Sequence, residues 1–314
     1  MAKNKKEDLI FSKLISRYLR YIELEKNYSP YTLRNYKYYL NFFRKWFVKK
    51  YEQEYIQRLT SEMVTSYRLH LSRHEDEKGK GLSAVTQSYY IISLRAFLKF
   101  LSKKGVKSLS AEKIDLPKVG SRQIKFLTRE QVERLLTSPD LTTVNGLRDR
   151  TILEVLFSTG LRVSEMAKLN RDKIDLKARE FGIIGKGRRS RVVFLTERSC
   201  EWLKRYLSTR DDRYSPLWIR YSGKTVDITS AGESMRLSVR SIQRLVEKYR
   251  KVAGLPIKVS PHTLRHSTAT TLLSSGANLR SVQEILGHKN VATTQIYTHI
   301  TNPQLKEIHK KYLK

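Results

Sequence analysis

The run His262–Leu273 reads HTLRHSTATTLL, with His262 and Arg265 three residues apart. In a helix that spacing puts both on one face. Farther on, Leu286–Ile300 reads LGHKNVATTQIYTHI, where His288 follows the helix-ending Gly287 and Tyr297 falls on the next helix. Upstream, STGLRVSEMAKL at Ser158–Leu169 places Arg162 after a glycine turn, at the start of a helix. Between these runs lies FGIIGKGRRSRVVFLT, Phe181–Thr196. Phe181, Ile183, Val193 and Phe194 give it the apolar character of two short strands around a Gly-Lys-Gly turn, with Lys186 at the tip. Helices interrupted by one small hairpin predict a mainly α fold with a small β-sheet (α+β).

Working outward, the remaining segments also read as helices. Arg148–Ser158 is one, ended by Gly160, and Val163–Leu169 is another. Others are expected over Thr196–Ser208, Ser238–Val252, Asn278–Leu286 and Thr293–Ile300. A last one, after Pro303, carries Leu305, Ile308 and Tyr312 on one face and, being short, needs a docking surface, which its own domain could supply. Ser222–Met235 is polar and unpatterned and reads as a loop. The first third carries four apolar stripes at helical period. These are Leu14, Ile15, Tyr18, Leu19 and Ile22; then Leu33, Tyr36, Leu40, Phe43 and Phe47 after the Ser29–Pro30 start; then Val64, Tyr67 and Leu71 after Thr60 or Ser61; then Ser83–Lys103, stopped by Gly105. Four short helices suggest a bundle. The expected organisation is a helical domain over 1–112, a linker over 113–125 containing IDLPKVGSRQ, and a second domain over 126–314. Thr128 and Gln131 open the latter with a capping box.

Charge narrows the function. The 314 residues carry 62 Lys+Arg against 30 Asp+Glu, a formal net charge of +32. Such an excess repels itself unless a polyanion screens it, and nucleic acid is the natural partner. Cys200 is the one cysteine, so no intrachain disulfide forms, and a reducing, cytoplasmic setting fits. No stretch approaches an apolar membrane span.

The ordered set GLRVSE, GKG at a hairpin, HTLRH, LGH and a tyrosine within TTQIYTHI resembles the tyrosine recombinases (integrases), most closely the Xer-type members. The likeness spans essentially the whole chain. It implies a helical N-terminal core-binding domain that clamps DNA and a C-terminal catalytic domain. It also implies assembly as a tetramer on two double-stranded DNA sites, with the helix after Pro303 reaching into a neighbouring protomer, and with no membrane and no small-molecule substrate. The chemistry of the residues agrees. Rejoining DNA without an external energy source needs a nucleophile whose phosphate ester a DNA hydroxyl can attack, and a tyrosine forms such an ester. A phenol titrating near 10 needs cationic and hydrogen-bonding neighbours to favour its ionised form. The resemblance implies Tyr297 as nucleophile and a 3′-phosphotyrosyl intermediate. It further implies Arg162 and Arg265 on the non-bridging oxygens, His262 and His288 as hydrogen-bonding and proton-handling groups, and Lys186 as general acid. Glu165, three residues after Arg162, is placed to orient its guanidinium. Arg188 and Arg189 beside Lys186 are candidates for DNA contact.

Plainer alternatives stand beside each role. Tyr297 is one of 18 tyrosines, and only its place nine residues after His288 lifts it above the others. Arg162 and Arg265 could contact phosphate or pair with carboxylates in any protein this basic. Lys186 could be a plain turn lysine, and Glu165 a helix-solvating carboxylate. A type IB topoisomerase would use the same residues, and a silent DNA-binding protein would keep the same fold. His262 and His266 have metal-pair spacing, but Arg265 beside them repels a cation. His70 and His74 share that spacing on a charged helix and read as solvent-exposed. The SGKT at Ser222–Thr225 resembles a phosphate loop, yet Trp218 stands where its first glycine belongs. The expectation is chemistry without metal, ATP or other cofactor. The loop Ser222–Met235 is long for the family, and HKKYLK ends the chain where Xer members often carry His-Pro-Arg. Chromosome-dimer resolution and mobile-element integration therefore both stay open.

Overall fold

The computed structural model describes residues 10–77, 79–117, 125–184, 190–223 and 231–287. The chain divides into two compact units, Met1–Arg122 and Gln123–Lys314.

The first unit packs four helices: α1 (Phe11–Leu24), α2 (Pro30–Tyr51), α3 (Ser61–Arg73) and α4 (Ala84–Lys103). Three start on hydroxyl caps that satisfy otherwise orphaned backbone N–H groups. Ser29 accepts from the Thr32 amide, Thr60 from Met63 and Ser83 from Thr86. Pro30 occupies the first turn of α2, where its missing N–H costs nothing. The apolar stripes meet in one core around Phe11, Phe43, Phe47, Tyr67, Phe97 and Leu101. Ala111 and Ile114, on a short 3-10 turn after α4 and at its end, are buried in that core too. His70 and His74 differ from the expected exposure. His70 stacks on Phe42 and Trp46, at 5.9 Å from each ring, and His74 meets Phe42 at 5.0 Å. Their aromatic partners lie on α2, invisible to a reading of α3 alone.

The second unit holds α5 (Arg129–Leu136), α6 (Val144–Thr159), α7 (Val163–Ala167), strands β1 (Glu180–Ile184) and β2 (Ser190–Phe194), α8 (Glu197–Ser208), α9 (Val239–Val252), α10 (Pro261–Ser274) and α11 (Leu279–Leu286). The Thr128–Gln131 capping box opens α5. The helix expected from Arg148 begins a turn earlier, because Thr143 caps it by accepting from the Gly146 amide at 2.9 Å. Gly146 hid this start, since glycine ordinarily weakens a helix interior. Helix α7 also stops at Ala167, short of Leu169, and its C-cap is Lys168. β1 and β2 pair antiparallel, with Phe181 opposite Val193 and Ile183 opposite Arg191. Part of the expected loop is organised: Glu233–Met235 forms a 3-10 turn. Arg236 then donates to the Ala167 and Leu169 carbonyls and to Asn170 Oδ1.

Helix α6 is central and buried nearly all round. Ile152, Leu153 and Leu156 share a core with Leu136, Leu203, Trp218, Ile242 and Leu264. A smaller cluster of Ala269, Leu273, Val282 and Leu286 joins α10 to α11. Cys200 is buried and free, a small packing residue.

Candidate active site

Two helices of the second unit end where the candidate site lies. Helix α6 stops at Gly160, in the left-handed conformation with φ 58°. A Cβ there would stand 2.5 Å from Leu286 Cδ2, so both the conformation and the close approach call for glycine. Helix α11 stops at Gly287, φ 66°, where a Cβ would come within 2.8 Å of Arg191 Nη1.

The carbonyls freed at these ends hold the two arginines. Arg265, on α10, is buried and donates from Nη1 to the Gly160 carbonyl and from Nη2 to the Leu286 carbonyl, each at 2.6 Å. Arg162, the N-cap of α7, donates from Nη2 to the Gly287 carbonyl at 3.3 Å. Consecutive carbonyls of one helix end therefore anchor both guanidinium groups, an arrangement that the partial negative charge of a helix C-terminus favours. Arg162 keeps 31% of its side-chain surface open to solvent, whereas Arg265 as a residue is 5% exposed. Arg162 is thus the arginine more accessible to an arriving anion.

Glu165 holds Arg162 from the other side. Its Oε2 accepts from the Arg162 backbone amide at 3.0 Å, and its Oε1 accepts from Arg162 Nη1 at 3.0 Å. Arg191 of β2 grips the same carboxylate, Nη1 to Oε1 at 3.2 Å and Nη2 to Oε2 at 3.0 Å. Burial alone would raise the Glu165 pKa. The hydrogen bonds from Arg191 and the Arg162 amide, with both arginine charges, outweigh it and hold the carboxyl below its usual range.

His262 stands on the first turn of α10. Although the residue is exposed, surrounding protein desolvates its ring, and the Arg265 and Arg162 charges add to this, lowering its pKa. The ring is therefore neutral near pH 7, able to donate at one nitrogen and accept at the other. His266, one turn on, is more deeply set. Burial, then His262 and Arg265, lower its pKa to about 4.

The fold thus brings Arg162, Glu165, Arg265 and His262 to one place, from segments far apart in sequence. Lys186, Arg188, Arg189, His288 and Tyr297 lie outside the described residues, as does the segment after Pro303. Arg191 escaped the sequence reading, although a signal existed. Strand alternation sets Arg191 on the same face as the buried Val193, while Val192 and Phe194 face outward. A charged residue on the inward face of a strand asks for a partner.

Comparison with known proteins places this architecture. Residues 125–303 match the model of the phage integrase family, and residues 15–105 match the phage integrase N-terminal SAM-like domain. The chain is 35% identical over 301 residues to the tyrosine recombinase XerC of Thermodesulfovibrio yellowstonii, covering 95% of each chain. It is 34% identical over 303 residues to XerD of Pseudomonas putida, covering 95% of this chain and 96% of that one. Among solved structures, the XerH recombinase bound to its palindromic difH substrate shares the fold. Its TM-score is 0.72 at 24% identity, covering 96% of this chain and 85% of that one. A helical N-terminal unit, a helical second unit with a two-stranded sheet and relatives of this kind lead to one conclusion: the chain belongs to the phage integrase family and is a site-specific recombinase of the Xer tyrosine type.

Proposed function

We propose that this recombinase cuts and rejoins double-stranded DNA through a 3′-phosphotyrosyl link at Tyr297. The observation that carries the reading is the pair of arginines anchored by the consecutive Leu286 and Gly287 carbonyls. Two guanidinium groups fixed in this way suit the non-bridging oxygens of one phosphodiester, by charge-assisted forked hydrogen bonds. They would also stabilise the charge that builds in the five-coordinate transition state. With Glu165 as the carboxylate between Arg162 and Arg191, positive charge remains in excess at the site. That excess favours the ionised form of a tyrosine brought to it.

In this reading His262 and His288 hydrogen-bond the phosphate and handle protons, and Lys186 protonates the leaving 5′-oxygen. Arg188 and Arg189 contact the DNA backbone near the hairpin. The helical domain clamps duplex DNA, the stretch 113–125 links it to the catalytic domain, and the segment after Pro303 docks on a neighbouring protomer of a tetramer that holds two sites. Cleavage needs no metal or nucleotide, because the arginines supply the charge that a metal would. The net charge of +32 supports a polyanionic partner. So does the likeness to XerH, whose structure is a post-cleavage complex with its difH substrate. Dimer resolution and integration or excision of a mobile element both consist of this strand exchange.

Covalent capture tests the reading. The protein is incubated with sheared, nicked DNA of its source genome, and fragments still attached after denaturing detergent are sequenced. Capture of a few recurring sequences by the wild type is the expected result. Tyr297→Phe, which lacks only the phenolic oxygen, should bind those duplexes but capture none. Capture undiminished in the variant would overturn Tyr297 as nucleophile.

A further inference from the structure

Glu165 is shared. Each carboxylate oxygen accepts two hydrogen bonds, one from Arg162 and one from Arg191. The side chain of Arg191 is 15% exposed and that of Glu165 is 8% exposed, so the pair sits largely out of water. Both terminal nitrogens of Arg191 donate to Glu165. Its guanidinium also lies against Gly287. A Cβ on that glycine would stand 2.9 Å from Arg191 Cδ and Cζ. Gly287 is the residue whose carbonyl anchors Arg162. Arg191 therefore touches both groups that fix Arg162, the carboxylate on one side and the helix end on the other.

We propose that Arg191 is a positioning residue, which through the Glu165 carboxylate and the Gly287 backbone fixes the guanidinium of Arg162 and ties strand β2 to the phosphate-binding site. The inference rests on the strand-cleavage reading above. Without Arg191, Glu165 would keep only its two bonds to Arg162 itself, and the guanidinium of Arg162 would be held less firmly in its direction. A displaced guanidinium still attracts DNA at long range but no longer meets the transition state in register. The loss should therefore fall on the chemical step and spare binding.

The test uses the full chain and a nicked duplex recovered by the covalent capture described above, measuring equilibrium binding and the rate of adduct formation. Arg191→Ala should slow adduct formation by about 10–100-fold, the range seen when a group that orients a metal-ligating side chain is removed. Arg191→Lys, which keeps the charge but cannot span both carboxylate oxygens, should recover little of that rate. Glu165→Gln should show a similar loss, and adding Arg191→Ala to it should cost no more than about twofold further, since both changes break one unit. If Arg191→Ala proves unstable, Arg191→Met, which keeps the aliphatic stem, carries the same expectation. Penalties that multiply in the double variant would overturn the proposal. So would weakened binding with a shallower salt dependence, which would make Arg191 a direct phosphate contact. Wild-type rates in every Arg191 variant would overturn it as well, while leaving the strand-cleavage reading intact. A wild type that forms no adduct would bring down that reading and this inference together.

Discussion

Both units of this recombinase have an apolar core, but they differ in what else they bury. In the first, Phe11 meets Phe43 at 5.7 Å, Phe47 at 6.2 Å and Phe97 at 5.6 Å, and Tyr18 reaches both Phe97 and Phe100. Its buried polar residues, among those described, are Ser88 and Ser93, each bonded to a carbonyl of its own helix. The second unit draws Arg148, Asp149, Arg150, Glu154, Arg210 and Arg265 into its interior. Aromatic packing stabilises because it removes apolar area from water and costs no charge desolvation. Burying guanidinium groups is expensive, and the second unit bears that expense at Arg265 in the candidate site and at Arg148, Arg150 and Arg210 outside it. The difference shows which unit is built to pack and which is built to position charge.

The largest effect expected is in the aromatic core. Phe11→Ala removes a ring that touches three others, and should cost the first unit about 3–5 kcal/mol. Hydrogen exchange read peptide by peptide should show lost protection over Phe11–Lys103 and little change in α6 or α10. Equal loss in both units would mean that their cores are not energetically separate.

A somewhat smaller effect, of different shape, is expected in the second unit. Glu154 accepts from Arg150 Nη2 at 2.5 Å and from Arg198 Nε at 2.8 Å, while Arg198 also forks onto Glu133. Burial pushes the Glu154 carboxyl up and the Arg150 guanidinium down, which marks a pair that is costly to keep charged. Glu154→Leu strands a buried Arg150 and should cost about 3 kcal/mol, whereas Arg150→Met with Glu154→Leu should regain most of it. Urea midpoints decide between the two outcomes. A double variant as unstable as the single one would show that the ion pair itself stabilises α6.

The same contrast explains what could be read from the sequence. The first unit was legible because helical periodicity states which residues face inward: Leu14, Ile15, Tyr18, Ile22, Phe43 and Phe47 are all buried. Capping residues were legible too, as at Ser29 and Thr128. In the second unit the candidate residues Arg162, Glu165, His262 and Arg265 stood out within local motifs, and the fold gathers them. Their supports did not stand out. Arg191 lies 26 positions from Glu165, Arg198 lies 65 from Glu133, and the carbonyl of Gly160 lies 105 from Arg265. Backbone carbonyls carry no sequence signature, and a lone arginine does not name the carboxylate it will meet. The stacking of His70 on Phe42 escaped for the same reason.

The smallest effect expected is a pH dependence seated at α10. The folded protein holds His266 neutral down to about pH 4, against 6.5 for a free imidazole. The groups acting on it are the burial itself, then His262, then Arg265, and all three oppose its protonation. Between those two values the unfolded chain binds a proton that the folded chain refuses, so stability falls as pH drops through 6.5 and levels off below about 4. His266 is part-exposed, which tempers the energy. From about pH 7.5 to about pH 5 the loss should be about 1–2 kcal/mol. His266→Gln cannot take up a proton, and should flatten the pH dependence by that amount relative to the wild type. His70 in the first unit, whose pKa burial also lowers, remains in both proteins and cancels in the comparison. Urea unfolding of the two proteins at each pH gives the difference directly. If the two curves run parallel, acid acts elsewhere, and α10 is not where the second unit senses it.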